Sequence, residues 1–156
     1  MKKTMLSLFL FALLQLSGTP TQATNHPHPA TTRIPGQPPV KDAAGTYSGT
    51  VPCGDCAGIR MELTLNEGKD GKSKTYILKQ TYLGKPTGTT TLESRGKWFA
   101  ATGNSQNAKA VIYQLIPDKK YEPLYFKRIS GKAIKMLDRE QNEIKSKANY
   151  TLLKKP

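Results

Sequence analysis

The stretch "GIRMELTLNEGKDGKSKTYILKQTYLG", Gly58 to Gly84, decides the fold. Ile59, Met61, Leu63 and Leu65 alternate with Arg60, Glu62 and Thr64, and an apolar period of two belongs to a half-buried strand rather than to a helix. "NEGKDGK" supplies the Asn, Gly and Asp that favour a turn, and "KTYILKQTYL" reads as the returning strand. The same rhythm extends outward. "GTYSGTV" precedes it; beyond the turn "GKPTGT" follow "ESRGKWFAAT", "KAVIYQLI", "EPLYFKRI", "KAIKMLD" and "KANYTLL". That makes about eight or nine short strands with short turns and no βαβ unit. Sequential connections of this kind predict an all-β fold, a small antiparallel up-and-down β-barrel, with an open sandwich as the alternative.

Ahead of these strands, Lys2 and Lys3 precede an apolar run from Met5 to Leu16, long enough for a signal-peptide core and short for a membrane span. Thr21-Gln22-Ala23 has the shape of a signal-peptidase site, so residues 1–23 are expected to be removed after Ala23 and the protein to be exported. A lipid-bearing cysteine would stand just after the apolar run, whereas the first cysteine is Cys53. A soluble periplasmic or secreted protein without a stable membrane anchor is the expectation. Residues 24–44, "TNHPHPATTRIPGQPPVKDAA", have almost nothing to bury and read as a disordered arm, leaving 45–156 as one small domain. The formal charge of +13 would suit nucleic acid, but an exported chain meets little of it. An anionic envelope surface is the more fitting partner, and solvated lysines that keep sheet edges apart are the plainer account.

Two cysteines stand three positions apart in "VPCGDCAG". A thioredoxin-like role would need a helix N-terminus to lower the thiol pKa, and a strand pattern follows instead. Structural zinc would need further ligands, and both histidines, His26 and His28, lie in the arm. Two readings stay open: a short disulfide between Cys53 and Cys56, as expected of paired cysteines in an oxidising compartment, and a soft-metal clamp in which both thiolates hold Cu(I). Copper and the disulfide would compete for the same sulfurs. Met61 and Met136 sit in alternating apolar sets and read as core.

Gly45, Tyr47, Gly49, Pro52, Cys53, Cys56, Gly58 and Ile59, the step Thr81-Tyr82-Leu83-Gly84, then "GKW", "IKMLDREQNEI" and "ANYTLL" together resemble the N-terminal domain of the NlpE family over essentially the whole folded region. The resemblance implies a lipocalin-like barrel, copper homeostasis or envelope-stress sensing, and Cys53 and Cys56 as the functional mark. Typical members carry a lipobox cysteine, which the leader lacks, and two-domain members continue into a second β domain beyond the point that corresponds to Pro156.

Cleavage after Ala23 would make His26 the third residue of the mature chain. A free amine, two amides and an imidazole then surround Cu(II) or Ni(II) in the square plane those ions prefer, with His28 as a further donor; ordinary polar residues of a disordered arm are the plainer reading of both histidines. The expected function is therefore an exported copper-binding or envelope-stress protein. The alternatives are a carrier holding a small apolar ligand, with Trp98, Phe99, Tyr47 and Tyr82 lining its cavity, or a module contacting an envelope sensor protein. Copper is the only cofactor expected. Enzyme activity is not expected, because the domain lacks histidine and Asp55, Glu62, Glu93, Asp118, Glu122 and Asp138 are scattered without paired spacing. Asp55 reads as exposed loop charge and Asp138 as part of a turn.

Overall fold

The computed structural model describes residues 43–156 apart from Asp70 and Pro86. Eight strands run in order: β1 Gly45–Val51, β2 Gly58–Glu67, β3 Lys74–Leu83, β4 Thr90–Thr102, β5 Val111–Pro117, β6 Leu124–Ser130, β7 Ala133–Met136 and β8 Thr151–Lys154. Each pairs antiparallel with the next, and β1 pairs with β8, Tyr47 opposite Lys154, to close the barrel. The expected up-and-down barrel is therefore the one observed. β4 begins earlier than its apolar alternation suggested, at Thr90, because the register across Tyr82↔Thr90 carries the β3–β4 hairpin beyond β5, which pairs only from Gly96 onward.

Alternation is obeyed strand by strand. Met61, Leu63 and Leu65 of β2, Tyr76 and Leu78 of β3, Trp98 of β4, Tyr113 and Leu115 of β5 and Phe126 of β6 are buried in one core with Tyr47, Ile134 and Leu152. Large aromatic side chains belong in such a core only if their polar tips are satisfied. Trp98 Nε1 donates to the Asn66 carbonyl at 2.9 Å, and the Tyr47 hydroxyl donates to the Ala43 carbonyl at 3.0 Å. Trp98 meets Tyr113 edge-on at 5.6 Å. Of the four aromatics considered as cavity walls, Trp98 and Tyr47 thus fill the interior, Phe99 points outward at 51% exposure and Tyr82 sits at the rim. Met61 is fully buried, and Met136 packs against the same core. Gly96 permits the closest backbone approach: a Cβ there would lie 2.1 Å from the Ile116 carbonyl oxygen.

β5 departs from simple alternation, since Ile112 and Tyr113 are both buried. Ile112 faces outward and is covered by residues 137–150, which join β7 to β8 and fold back as a strap. Leu137 packs with Ala110, Ile112 and Tyr125, and its N–H donates to the Tyr125 carbonyl at 2.9 Å. Asp138 does lie in a turn, its carboxylate accepting the Asn142 N–H at 2.7 Å. Asn104 reaches the Gln141 carbonyl at 2.6 Å, and Glu143 N–H donates to the Gln106 side chain at 2.8 Å. Glu143 then lies between Lys127 at 2.5 Å and Lys135 at 2.7 Å, on neighbouring strands. Their hydrogen bonds hold its carboxyl well below the ordinary value of 4.5, at about 2.

A carboxyl lowered by folding stabilises the fold above its unfolded value, and that contribution is lost as pH falls from about 4.5 towards 2. Because the side chain is 37% exposed, solvent screening reduces the effect to on the order of 1 kcal/mol. Glu143→Gln should therefore lower the urea midpoint at pH 7, and the gap from the parent chain should shrink as pH drops through this window. Urea unfolding at pH 7, 4 and 2.5, each followed by circular dichroism, checks both signs.

Candidate functional site

Val51 opposite Ile59 is the last pair of the β1–β2 hairpin, so residues 52–57 form a loop at one end of the barrel. Cys53 and Cys56 are joined there by a disulfide with Cα atoms 5.3 Å apart. Among the described residues no cysteine is free. Both are half-buried, while Gly54 and Asp55 between them are exposed. The loop that carries them is open to solvent. The pair thus adopts the bridged state, one of the two readings left open by its spacing.

A second hairpin braces the loop. Ala57 N–H donates to the Leu83 carbonyl at 2.9 Å, and Gly84 follows with φ of 67°, a left-handed conformation that favours glycine. A Cβ at Gly84 would come within 2.9 Å of the Ala57 methyl. Lys85, next in the chain, places its ammonium 3.5 Å from the Asp55 carboxylate and 4.8 Å from the Tyr82 ring. With Asp55 78% exposed, this ion pair orients the loop more than it stabilises it. The Thr81-Tyr82-Leu83-Gly84 step is therefore the platform on which the cysteine loop rests.

Asp55 lies closer to the sulfurs than its reading as plain loop charge implied. Its carboxylate oxygen is 3.3 Å from Cys53 Sγ, and the Gly58 carbonyl is 3.3 Å from Cys56 Sγ. A bridged sulfur carries no proton, so neither contact is a hydrogen bond in the oxidised form. After reduction each thiol has an acceptor already in place. Cys53, Asp55 and Cys56 are also the one metal-competent group among the described residues, their donor atoms all within 4.8 Å of one another. Two soft sulfurs and one hard carboxylate suit a thiophilic ion held by the sulfurs, with the carboxylate as a charge neighbour. Ala23, His26 and His28 lie outside the described residues.

Near the same end, Tyr76, Gln80, Tyr82, Leu92, Tyr121 and Leu124 line an open pocket of about 250 Å³ in the barrel mouth. Burial pushes the Tyr76 phenol up. A carrier function would have to use this shallow mouth, because the interior below it is occupied by side chains. Sequence reasoning missed Lys85 and Gly84 as parts of the site. The signal for both was present, a glycine and a lysine directly after a strand, but only the register of β3 against β2 shows that they meet the cysteine loop.

The family described as the NlpE N-terminal domain matches residues 47–147. Lipoprotein NlpE of Escherichia coli (strain K12) is 35% identical over 113 residues, covering 72% of this chain. The chain spans 42% of the length of that relative. A crystal structure of a putative lipoprotein from Shewanella oneidensis is similar at a TM-score of 0.50 and 27% identity, over 72% of this chain and 88% of that one.

A bridge closing so short a loop restricts the unfolded chain little, about 2 kcal/mol at most by loop-closure entropy. The Cys53→Ser/Cys56→Ser double variant should accordingly stay folded, with an unfolding free energy lowered by no more than this and an unchanged denaturant slope. Denaturation monitored by circular dichroism measures it; collapse of the fold would mean that the pair is chiefly a structural staple.

Proposed function

The chain belongs to the NlpE family, and we propose that it is an exported envelope protein whose Cys53–Cys56 loop reports redox state and copper together. The observation that carries this reading is the position of the pair: two adjoining sulfurs in a solvent-reachable rim loop, outside the packed core and braced by a neighbouring hairpin. A purely structural bridge would be expected where it ties distant segments, yet this one spans a separation of three residues.

The chemistry follows from the donors. In the oxidised form both sulfurs are spent on each other and bind no metal. A thiol reductant supplies two electrons and two protons, opening the bridge to two thiols that face Asp55 and Gly58. Cu(I) then displaces the thiol protons and takes both sulfurs in the low coordination that a soft ion accepts. Asp55 disfavours bare thiolates beside it, and a bound cation removes that penalty, so the loop is better suited to holding metal than to nucleophilic turnover. The copper homeostasis implied by the sequence resemblance fits this arrangement, as does placement in the periplasm. If Thr24 is the first residue of the mature protein, the arm adds a separate Cu(II) site at His26 with His28 beside it.

Titrating reduced protein with Cu(I) against a competing chelator should give one tightly held ion per chain. Air-oxidised protein and Cys53→Ser should each lose affinity by more than the ~10–100-fold that loss of an outer-sphere partner causes. Equal affinity in Cys53→Ser would remove the clamp.

A further inference from the structure

The two ends of the barrel differ in charge. At the end opposite the cysteine loop, the β2–β3 turn carries Lys69 and Lys72, the β4–β5 loop Lys109 and the β6–β7 turn Lys132. Those turn sequences contain only Glu67 and Asp70 as acids. At the cysteine end the loop lysines Lys85, Lys119 and Lys120 are matched one for one by Asp55, Asp118 and Glu122. The strap reaches the same end as the β2–β3 turn, where Gln141 and Glu143 bond to Asn104 and Gln106 of the β4–β5 loop, so its acids Asp138, Glu140 and Glu143 border the β5–β6 side of that end and leave the lysines around the β2–β3 turn as the basic patch.

A cleft of about 530 Å³ opens beside the β2–β3 turn, with Lys72, Ser73, Lys74, Thr75, Lys97 and Phe99 along its walls. Lys74 is held in place, its ammonium 4.6 Å above the Trp98 ring and 3.4 Å from Glu67. Lys72 and Lys97 are exposed on either side of it. Apolar side chains accompany the charge. Phe99, Ile129 and Leu153 point outward near this end at 51%, 52% and 61% exposure. Leu92 and Tyr121 are equally exposed at the mouth, but there carboxylates alternate with the lysines.

We propose that this basic end docks on an anionic lipid surface, with phosphate headgroups entering the Lys72–Lys74–Lys97 cleft and Phe99 resting among the acyl-chain ends of the headgroup layer. Charge complementarity selects phosphate. The aromatic wall selects a phosphate that carries an apolar body, as a lipid does and a free anion does not. Docking in this way turns the cysteine loop away from the membrane, towards the solvent of the compartment. The proposal is independent of copper binding and would survive its failure.

The protein as recovered from cells is sedimented with vesicles of phosphatidylcholine containing about one third phosphatidylglycerol, and with phosphatidylcholine alone. Binding is expected to the anionic vesicles only, and to fall steeply with salt. Lys72→Glu/Lys97→Glu should reduce it about tenfold or more, two juxtamembrane charges being reversed. Phe99→Ser should reduce it severalfold while leaving the salt dependence unchanged. Lys119→Glu/Lys120→Glu, with the same change in net charge at the opposite end, should bind like the parent. Equal loss in both charge variants would overturn the proposal in favour of net charge alone. So would equal binding to neutral vesicles, an unaffected Phe99→Ser, or release of the protein by millimolar inorganic phosphate, which would make the cleft a free-anion site.

Discussion

Closure of the sheet is the constraint on which the rest depends. Eight strands, two of them only four residues long, would expose two open edges and too little core if laid flat. Pairing Tyr47 with Lys154 and Ser48 with Leu153 removes both edges and turns every inward position towards one shared interior. Residues from all eight strands then meet there, with Trp98 and Tyr113 packed edge to face. Once that interior is filled, chemistry is left to the rims, and the two rims differ in kind. One carries sulfur, an acid and an aromatic mouth; the other carries lysines and outward apolar side chains.

Much of this was legible in the sequence because one physical signal dominates it. Ile59, Met61, Leu63 and Leu65 alternate without interruption, and a strand with one wet face has no other way to be written. The sequence was silent where two signals overlap. "VIYQLI" is apolar on both faces, which is the mark of a strand covered twice, yet what covers Ile112 is the strap from Leu137, distant in the chain and without a pattern of its own. Glu143 looked like one more surface acid because its partners, Lys127 and Lys135, become neighbours only through the register of β6 on β7.

The cysteine pair marks a different limit. Spacing told that the sulfurs are neighbours, and the following alternation told that no helix activates them, but bridged and metal-binding forms use the same residues at the same spacing. What distinguishes them is environment. Lys85 and Gly84 supply part of that environment from a hairpin whose approach depends on β2–β3 pairing, a non-local fact. Membership of the NlpE family accounts for the barrel, while the balance of charges around the loop is read from this chain's own residues.

Trp98 is the single tryptophan of the chain, fully buried and tied to the Asn66 carbonyl. Its fluorescence therefore comes from one known place, at the lysine-rich end and far along the strands from the sulfurs. An experimenter adding reductant or metal has a built-in optical reporter that stays quiet as long as events remain local to the cysteine rim. Only when the strands themselves part and water reaches the indole will its emission move to longer wavelength.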